Sequence, residues 1–409
     1  MQCAYLMVYH EAHLIMKKSC PHCGNNPVSH FSAWINNSFG VPANRLYLAV
    51  CGEREQKFAG YLVKHVFDIF LGVLRFFGVI TIYHEPSRAG TARGRVLWEE
   101  ARRRGIHIEG LLFFGQITDS YIARVKGHKI YFSGLPRPAY TGTGSDWWLD
   151  DKAILKEKLA SAGISVPAGG SFSHFDDCAR HFETLRKPVI VKPQLGSRGR
   201  HTTTHIYTKD QLREAFTIAK QISYWSVMEE HLEGSVYRAT MIDGTVTGVL
   251  RGDPPRITGD GASAILQLVE KKNKARHEKV SEILLNERHR DFLARTGRNF
   301  MTVPARGEVV DLLASIGVSY GGHSKEVTNE THHEIKGIME KAAAVVADPI
   351  IGFDFIIPDI EKPPAGQRWG IIECNSTPFI NLHHDPVEGV PANAAKHVWD
   401  YVEQNLDRY

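Results

Sequence analysis

A chain of 409 residues with 43% hydrophobic and 23% charged side chains has enough apolar material for two or three globular domains with substantial cores. The formal net charge is only +4, and acids and bases are interspersed except at Arg102–Arg103–Arg104, so no nucleic-acid partner is expected. Six cysteines (Cys3, Cys20, Cys23, Cys51, Cys178, Cys374) in so long a chain do not make a secreted disulfide framework. No run of about 20 apolar residues predicts a membrane span. No basic region precedes the apolar start, so a cytoplasmic protein without a cleavable leader is expected.

The first motif in chain order is Cys20–Pro21–His22–Cys23. A CxxC is half a Zn²⁺ site or a redox pair, and completing a zinc site would require Cys3, Cys51, His10, His13, His22 or His30. His10–Glu11–Ala12–His13 lacks the spacing of a catalytic zinc helix. Leu62, Val66, Ile69, Val73 and Phe76 recur at helical spacing and predict a core-facing amphipathic helix. Gly78–Tyr83 reads as a buried strand, and Val96–Ala101 as a helix ending at Gly105. Ile106–Phe114 is the next strand. This order predicts a parallel, Rossmann-like open sheet; without GxGxxG no dinucleotide is expected. Between them, Arg88, Arg93 and Arg95 read as a solvated loop, with an anionic substrate group as the alternative. A hairpin over Tyr121–Phe132, turning at Lys126–Gly127, closes an N-terminal α/β domain of residues 1–140 for substrate or partner binding.

Thr141–Gly142–Thr143–Gly144–Ser145 is the clearest linker. Beyond it a helix opens at Asp150–Asp151–Lys152, with Ile154, Leu155 and Leu159 inward, and stops at Gly163. Pro188–Pro193 predicts a buried strand carrying Lys192, followed by Gln194–Leu195–Gly196–Ser197–Arg198–Gly199–Arg200–His201. Glycines let backbone N–H groups approach phosphate oxygens, and the arginines add charged donors. Thr208 and Gln211 form a capping box for a helix with Leu212, Phe216 and Ala219 on one face. The strand Trp225–Met228 leads into Glu229–Glu230–His231–Leu232, a segment able to offer backbone groups to an adenine edge.

Near the C-terminus two strand-like runs, Ile350–Ile357 and Trp369–Asn375, flank a Pro/Gly-rich connector. Glu373 and Asn375 share a strand face, and Asp354 interrupts an apolar run, which is costly unless it is paired. Two carboxylates and an amide oxygen on adjacent strands suit Mg²⁺, or Mn²⁺ in its place.

The ordered set Lys152, Val191–Lys192–Pro193 with its glycine loop, Met228–Leu232, Asp354 and Glu373–Cys374–Asn375 resembles the ATP-grasp superfamily. Arg251–Gly261, Gly321–Thr328 and the blocks Asn375–Pro378 and His383–Gly389 look like the cyanophycin synthetase subgroup. That subgroup includes the ATP-grasp part of the fused glutamate–cysteine ligase/glutathione synthetase. The resemblance covers about residues 141–405 and implies an ATP-grasp fold of α+β lobes: a nucleotide lobe (141–225) and a metal-binding lobe (226–409) with an insertion at about 259–323. It implies ATP phosphates on Lys152 and Lys192 under a loop of Gly196, Ser197, Arg198, Gly199 and Arg200, and adenine at Glu229, Glu230 and Leu232. Mg²⁺ would sit on Asp354, Glu373 and Asn375, with Arg238 and Arg251 stabilising an acyl phosphate. The implied activity is ligation of an amino acid or small peptide carboxylate to an amine, with phosphotransfer or a degenerate nucleotide sensor as alternatives. Oligomeric state stays open. His201 replaces a glycine of the family loop, Val236 stands where relatives carry an acidic ribose contact, and no Mur-ligase-like half follows. Lys271, Lys272, Lys274, Arg276, Arg295, Arg298 and Arg306 of the insertion read as a solvated surface, with binding of substrate carboxylates as the alternative, and His383 and His384 as either substrate contacts or structural histidines.

Overall fold

The computed structural model describes residues 20–24, 27–39, 71–138, 148–195 and 199–409. The amphipathic helix expected from residue 62 lies mostly outside them; its last turn is helical at 71–76, but Val73 and Phe76, expected to face the core, are exposed there. Among the described residues no helix is long and apolar enough to cross a membrane.

The N-terminal sheet has the order β1 (Ile80–Tyr83), β2 (His107–Phe113), β3 (Gln116–Val125), β4 (His128–Ser133). Its two tight turns, Phe114–Gly115 and Lys126–Gly127, both have two residues at positive φ, the conformation whose twist matches that of antiparallel strands. The expected hairpin is therefore present. The expected parallel pairing is not: β1 and β2 are antiparallel, with Ile80 opposite Phe113 and Tyr83 opposite Gly110. The connector 84–91 is long enough to carry the chain back before α1 (Ala92–Arg103) begins beside Asp119 of β3, to which Thr91 donates at 2.8 Å. The helix then delivers the chain to β2 in the reverse sense. Gly94 is required where α1 crosses β3, since a Cβ there would lie 2.0 Å from the Tyr121 hydroxyl.

Leu97, Trp98, Tyr121 and Phe132 of this sheet and helix share one core with Val398, Trp399 and Val402 of α9 (Ala394–Gln404). Trp399 Nε1 donates to Leu97 O at 2.9 Å. The N-terminal sheet is thus fastened by the C-terminal helix to the ends of the central strands at Ile242 and Ile350.

A smaller sheet, all antiparallel, runs β5 (Gly169–Phe172), β8 (Ser226–Glu230), β6 (Val189–Pro193), β7 (Thr203–Ile206). Its core draws Cys178 and Phe182 from α3 (Phe175–Phe182), and Leu212 and Phe216 from α4 (Lys209–Lys220). The Thr208–Gln211 capping box opens α4 as its sequence requires.

The large sheet has the order β13 (His323–Glu326), β10 (Thr245–Asp253), β9 (Ser235–Ile242), β14 (Ile350–Ile357), β15 (Gly370–Asn375), each neighbour antiparallel. One face, with Tyr237, Ala239, Phe353 and Phe355, is buried under Leu155 and Leu159 of α2 (Lys152–Ser161) and Met339 of α7 (His333–Val346). Strand alternation sends Arg238, Thr240, Asp354 and Glu373 to the opposite face. Between β10 and β13 of the chain, β11 (Arg256–Thr258) pairs with β12 (Val309–Asp311) over a small core that includes Ile265 of α5 (Ile265–Lys274) and Leu293 of α6 (Glu287–Arg295). Lys271 pairs with Asp260 at 3.0 Å and Arg298 with Glu308 at 2.7 Å, so these cations are engaged within this segment.

His383, on the short α8 (Asn381–His384), is completely buried over β9 and β10, with Nδ1 2.7 Å from Glu326 and Nε2 2.7 Å from Thr240. It is a structural histidine. His384 accepts from Ala395 N at 3.1 Å and so caps the start of α9. A Cβ on Gly248 would lie 2.5 Å from His383 Nδ1, and the ring is held on both nitrogens. Gly248→Ala should therefore destabilise the fold by about 1–3 kcal/mol, the usual cost of overpacking. Urea unfolding of that variant checks it: an unchanged midpoint would show the ring free to yield.

Candidate functional site

The polar face of the large sheet meets the small sheet at a cluster of buried charges. Arg238 and Asp354 are directly opposite in the β9–β14 register and form a two-pronged ion pair, Nε and Nη2 each 2.7 Å from a carboxylate oxygen. Asp354 is in turn opposite Glu373 on β15, the edge strand. There Lys152, at the first turn of α2, approaches Glu373 to 3.3 Å. Lys192, at the end of β6, and Lys156, one turn beyond Lys152, both contact the Glu229 carboxylate. Lys152, Lys192 and Glu229 are nearly inaccessible to solvent.

Two sequence features set this arrangement. The edge register of β15 brings Glu373 beside α2, and Asp151 caps α2 by accepting from Ala153 and Ile154 N–H groups. Asp151 also takes two hydrogen bonds from Gln194 Nε2, at 2.9 and 2.7 Å. The lysine-bearing helix is thereby pinned to the residue that follows the lysine-bearing strand. Asp150 accepts from the Ser376 N–H at 3.0 Å and its hydroxyl at 2.7 Å, fixing the turn after Asn375.

The electrostatics are governed by burial and by repulsion among neighbouring cations. Burial, with Lys152 close by, lowers the Lys192 pKa to about 7, although Glu373 and Asp354 oppose the shift. Burial also lowers Lys156, reinforced by Lys192 and Lys152. Burial pushes Glu373 up, but Lys152, Lys192 and Arg238 outweigh it and hold that carboxyl at about 2. Asp354 is raised by burial, which Arg238 only partly offsets. Three lysines and an arginine around three carboxylates are an arrangement an ordinary core would not keep, because each unpaired buried charge is costly.

The donor set suits a hard divalent cation. Asp354 and Glu373 are adjacent carboxylates, and the Asn375 amide leans toward Asp354 without completing a well-formed hydrogen bond through Nδ2. Arg238 uses one lone pair on each Asp354 oxygen, and a carboxylate has about four, so a shared cation is compatible with the ion pair.

The structure brings together Lys152, Lys192, Glu229, Arg238, Asp354, Glu373 and Asn375. Arg251 is not among them. It is opposite Tyr237 on β9, which puts it on the other sheet face from Arg238, where it pairs with Asp253 at 3.0 Å. Glu230 is turned to Arg368, and Leu232 is buried. Gly196, Ser197 and Arg198 lie outside the described residues; Gly199 and Arg200 lead into His201. Cys20 and Cys23 lie elsewhere, against His30 and His201. Sequence reasoning missed Lys156, Gln194, Asp150 and the buried role of Arg93. That arginine pairs with Asp119 at 2.8 Å and donates to Thr377 O at 2.9 Å, so it braces the strand end that carries Asn375. The i, i+4 spacing of Lys152 and Lys156 was the available signal for one of them.

No family model matches the chain. Its sequence is 32% identical over 259 residues to a cyanophycin synthetase of Synechocystis sp., covering 61% of this chain and 30% of that protein. It is 28% identical over 263 residues to the glutathione biosynthesis bifunctional protein of Clostridium perfringens, covering 62% and 34%. The chain thus spans about a third of the length of the curated relatives it matches. Among solved structures, a bifunctional glutathione synthetase from Pasteurella multocida superposes with a TM-score of 0.50 and 24% identity, over 76% of this chain and 43% of that one. The α+β lobes expected from the sequence are observed, with the N-terminal sheet antiparallel rather than Rossmann-like, and the chain is similar in sequence to cyanophycin synthetases and in fold to the bifunctional glutathione synthetase.

Proposed function

We propose that the chain is an ATP-dependent carboxylate–amine ligase, joining an amino acid or small peptide to an amine through an acyl phosphate. The observation that carries this reading is the buried surplus of cations, Lys152, Lys156, Lys192 and Arg238, packed against Asp354, Glu373 and Asn375 between two sheets. Lys152 and Lys192 would hold the triphosphate, with Lys156 added and with Glu229 keeping two of the three amines in place. Gly196–Arg200 would line the phosphates, and backbone of Glu230 and Leu232 the base. Asp354, Glu373 and Asn375 would hold Mg²⁺, which supplies charge neutralisation at the transferring phosphoryl group. Arg238, anchored by Asp354, would face the charge that develops on the acyl phosphate. Its partner in the sequence reading, Arg251, is on the far face of the sheet and is left with Asp253.

The test is to screen amino acids in pairs for phosphate release that requires both acid and amine, with mass spectrometry of the product. Stoichiometric ADP, phosphate and amide support a ligase. Phosphate retained on a stable product, or no turnover with any acceptor, would replace the reading.

The Lys192 pKa gives a second expectation. A triphosphate beside the amine raises that pKa, so binding takes up a proton above about pH 7 and affinity falls as pH rises further. Calorimetric titration of ATP in buffers of different ionisation enthalpy measures the uptake. It should be present at about pH 8, small at about pH 6, and absent from Lys192→Met; an uptake that persists in the variant would assign the titration to another group.

A further inference from the structure

Away from the charge cluster, two cysteines and two histidines from distant parts of the chain converge. The ligand atoms of Cys20, Cys23, His30 and His201 all lie within 4.8 Å of one another. Cys23 Sγ is 3.3 Å from His30 Nε2 and 3.5 Å from His201 Nε2, and Cys20 Sγ is 3.8 Å from His201 Nε2. Sulfurs at about 2.3 Å and nitrogens at about 2.0–2.1 Å from one tetrahedral centre stand about 3.3–3.8 Å apart. The three contact distances, 3.3, 3.5 and 3.8 Å, fall in that range, and the whole set lies within 4.8 Å.

The surroundings orient the ligands. His201 Nδ1 is 2.9 Å from the Ile218 carbonyl; a carbonyl only accepts, so Nδ1 carries the proton and Nε2 presents its lone pair to the sulfurs. The His201 N–H donates to His22 O at 2.9 Å, which ties the histidine's backbone to the CxxC turn. His201 also adopts φ 50°, a left-handed conformation unusual for a residue with a side chain, at a place where glycine would be unstrained. His30 opens the helical residues 30–39. That segment docks beyond α4, with Asn37 Nδ2 donating to Ile222 O at 2.7 Å and Ser38 Oγ accepting from Tyr224 N at 2.9 Å.

We propose that Cys20, Cys23, His30 and His201 form a closed tetrahedral Zn²⁺ site that clamps residues 20–39 onto the small sheet's helical layer. Its fourth ligand is the residue that ends the glycine-rich loop. All four positions are filled by protein, so the site is structural, with no place left for a reacting water. Binding converts two thiols to thiolates and releases two protons, with no oxidation. The inference stands on residues separate from the ligase reading and survives its failure.

Metal analysis of the full chain, purified without chelator, should find zinc in equal molar amount. Chelated protein loaded with Co²⁺ should show the intense visible bands of a tetrahedral ion and a thiolate-to-cobalt charge-transfer band, both erased by Zn²⁺. Cys20→Ser/Cys23→Ser should abolish the charge-transfer band. His201→Gly, which the backbone accommodates, should keep that band, shift the visible bands and weaken Zn²⁺ binding by more than about 100-fold, beyond the loss of an outer partner. Limited proteolysis should cut within residues 20–39 only after zinc is removed. Metal-free protein whose Co²⁺ spectrum is weak and octahedral would overturn the site, and a His201→Gly spectrum identical to wild type would remove His201 from it.

Discussion

Replacing Lys192 by Met is expected to lower turnover in the proposed ligase reaction about 10²–10³-fold, as loss of a single preorganised electrostatic stabiliser does, while leaving the protein at least as stable as wild type. The two halves have one cause. Lys192 is only 6% exposed, and burial followed by repulsion from Lys152 brings its pKa down to about 7. The unfolded chain, with an ordinary lysine pKa near 10.4, binds more protons between those values, so stability contributed by this residue rises with pH across that window and is lowest below pH 7. Met fills a similar volume without the charge, and Glu229 keeps Lys156 as its partner. The gain in stability should therefore be clearest on the acid side of pH 7 and fade as pH climbs. Amine-dependent phosphate release and urea unfolding on either side of that pH measure both halves. Activity within a few-fold of wild type would detach Lys192 from the chemistry. A variant clearly less stable than wild type in acid would show that its amine is a structural ion-pair partner first.

Much of this site was legible because its parts lie on elements with strong local signals. Ile350–Ile357 and Gly370–Asn375 are apolar runs broken by single polar residues, and alternation alone sends Glu373 and Asn375 to one face. Thr208–Gln211 announces its helix by reciprocal hydrogen bonding. Direction was not legible in the N-terminal sheet: a strand, connector, helix and strand read alike whether the helix or the connector makes the return, and here residues 84–91 do. Nor was the sheet face of Arg251 assigned by the sequence, since it depends on the register of β9 and β10, with its irregularity between Val246 and Gly248. His201 could be read only as an oddity in a glycine loop, because its partners at Cys20 and Cys23 are separated from it by about 180 residues of chain. Long-range convergence of this kind leaves no period or spacing in the sequence. The burial of His383 is similar: its partners Thr240 and Glu326 belong to different strands.

Arg238→Met should be the most destabilising substitution at the site, by about 3–5 kcal/mol, because it strands the Asp354 carboxylate in a buried position. The loss is a penalty on the partner left behind, so the double variant Arg238→Met/Asp354→Asn should recover much of it. A positive coupling in that cycle is the direct measure of the ion pair. The pH dependence has a definite sign. Burial already raises Asp354, and Arg238 is the largest influence opposing the rise. Without the guanidinium the folded-state pKa climbs further above its unfolded value. The native state then holds a proton that the unfolded chain has released, and stability falls as pH rises through the folded pKa. The deficit of Arg238→Met should accordingly shrink in acid, where Asp354 is neutral in both states. Activity should not return in the double variant, since one member is proposed to face the acyl phosphate and the other to hold the cation. Urea unfolding of the wild type, both single variants and the double variant, at neutral and acidic pH, supplies every leg of the comparison. Additive losses with no pH dependence would mean that Asp354 is already neutral beside Arg238, and a carboxyl in that state cannot serve the cation site proposed for it.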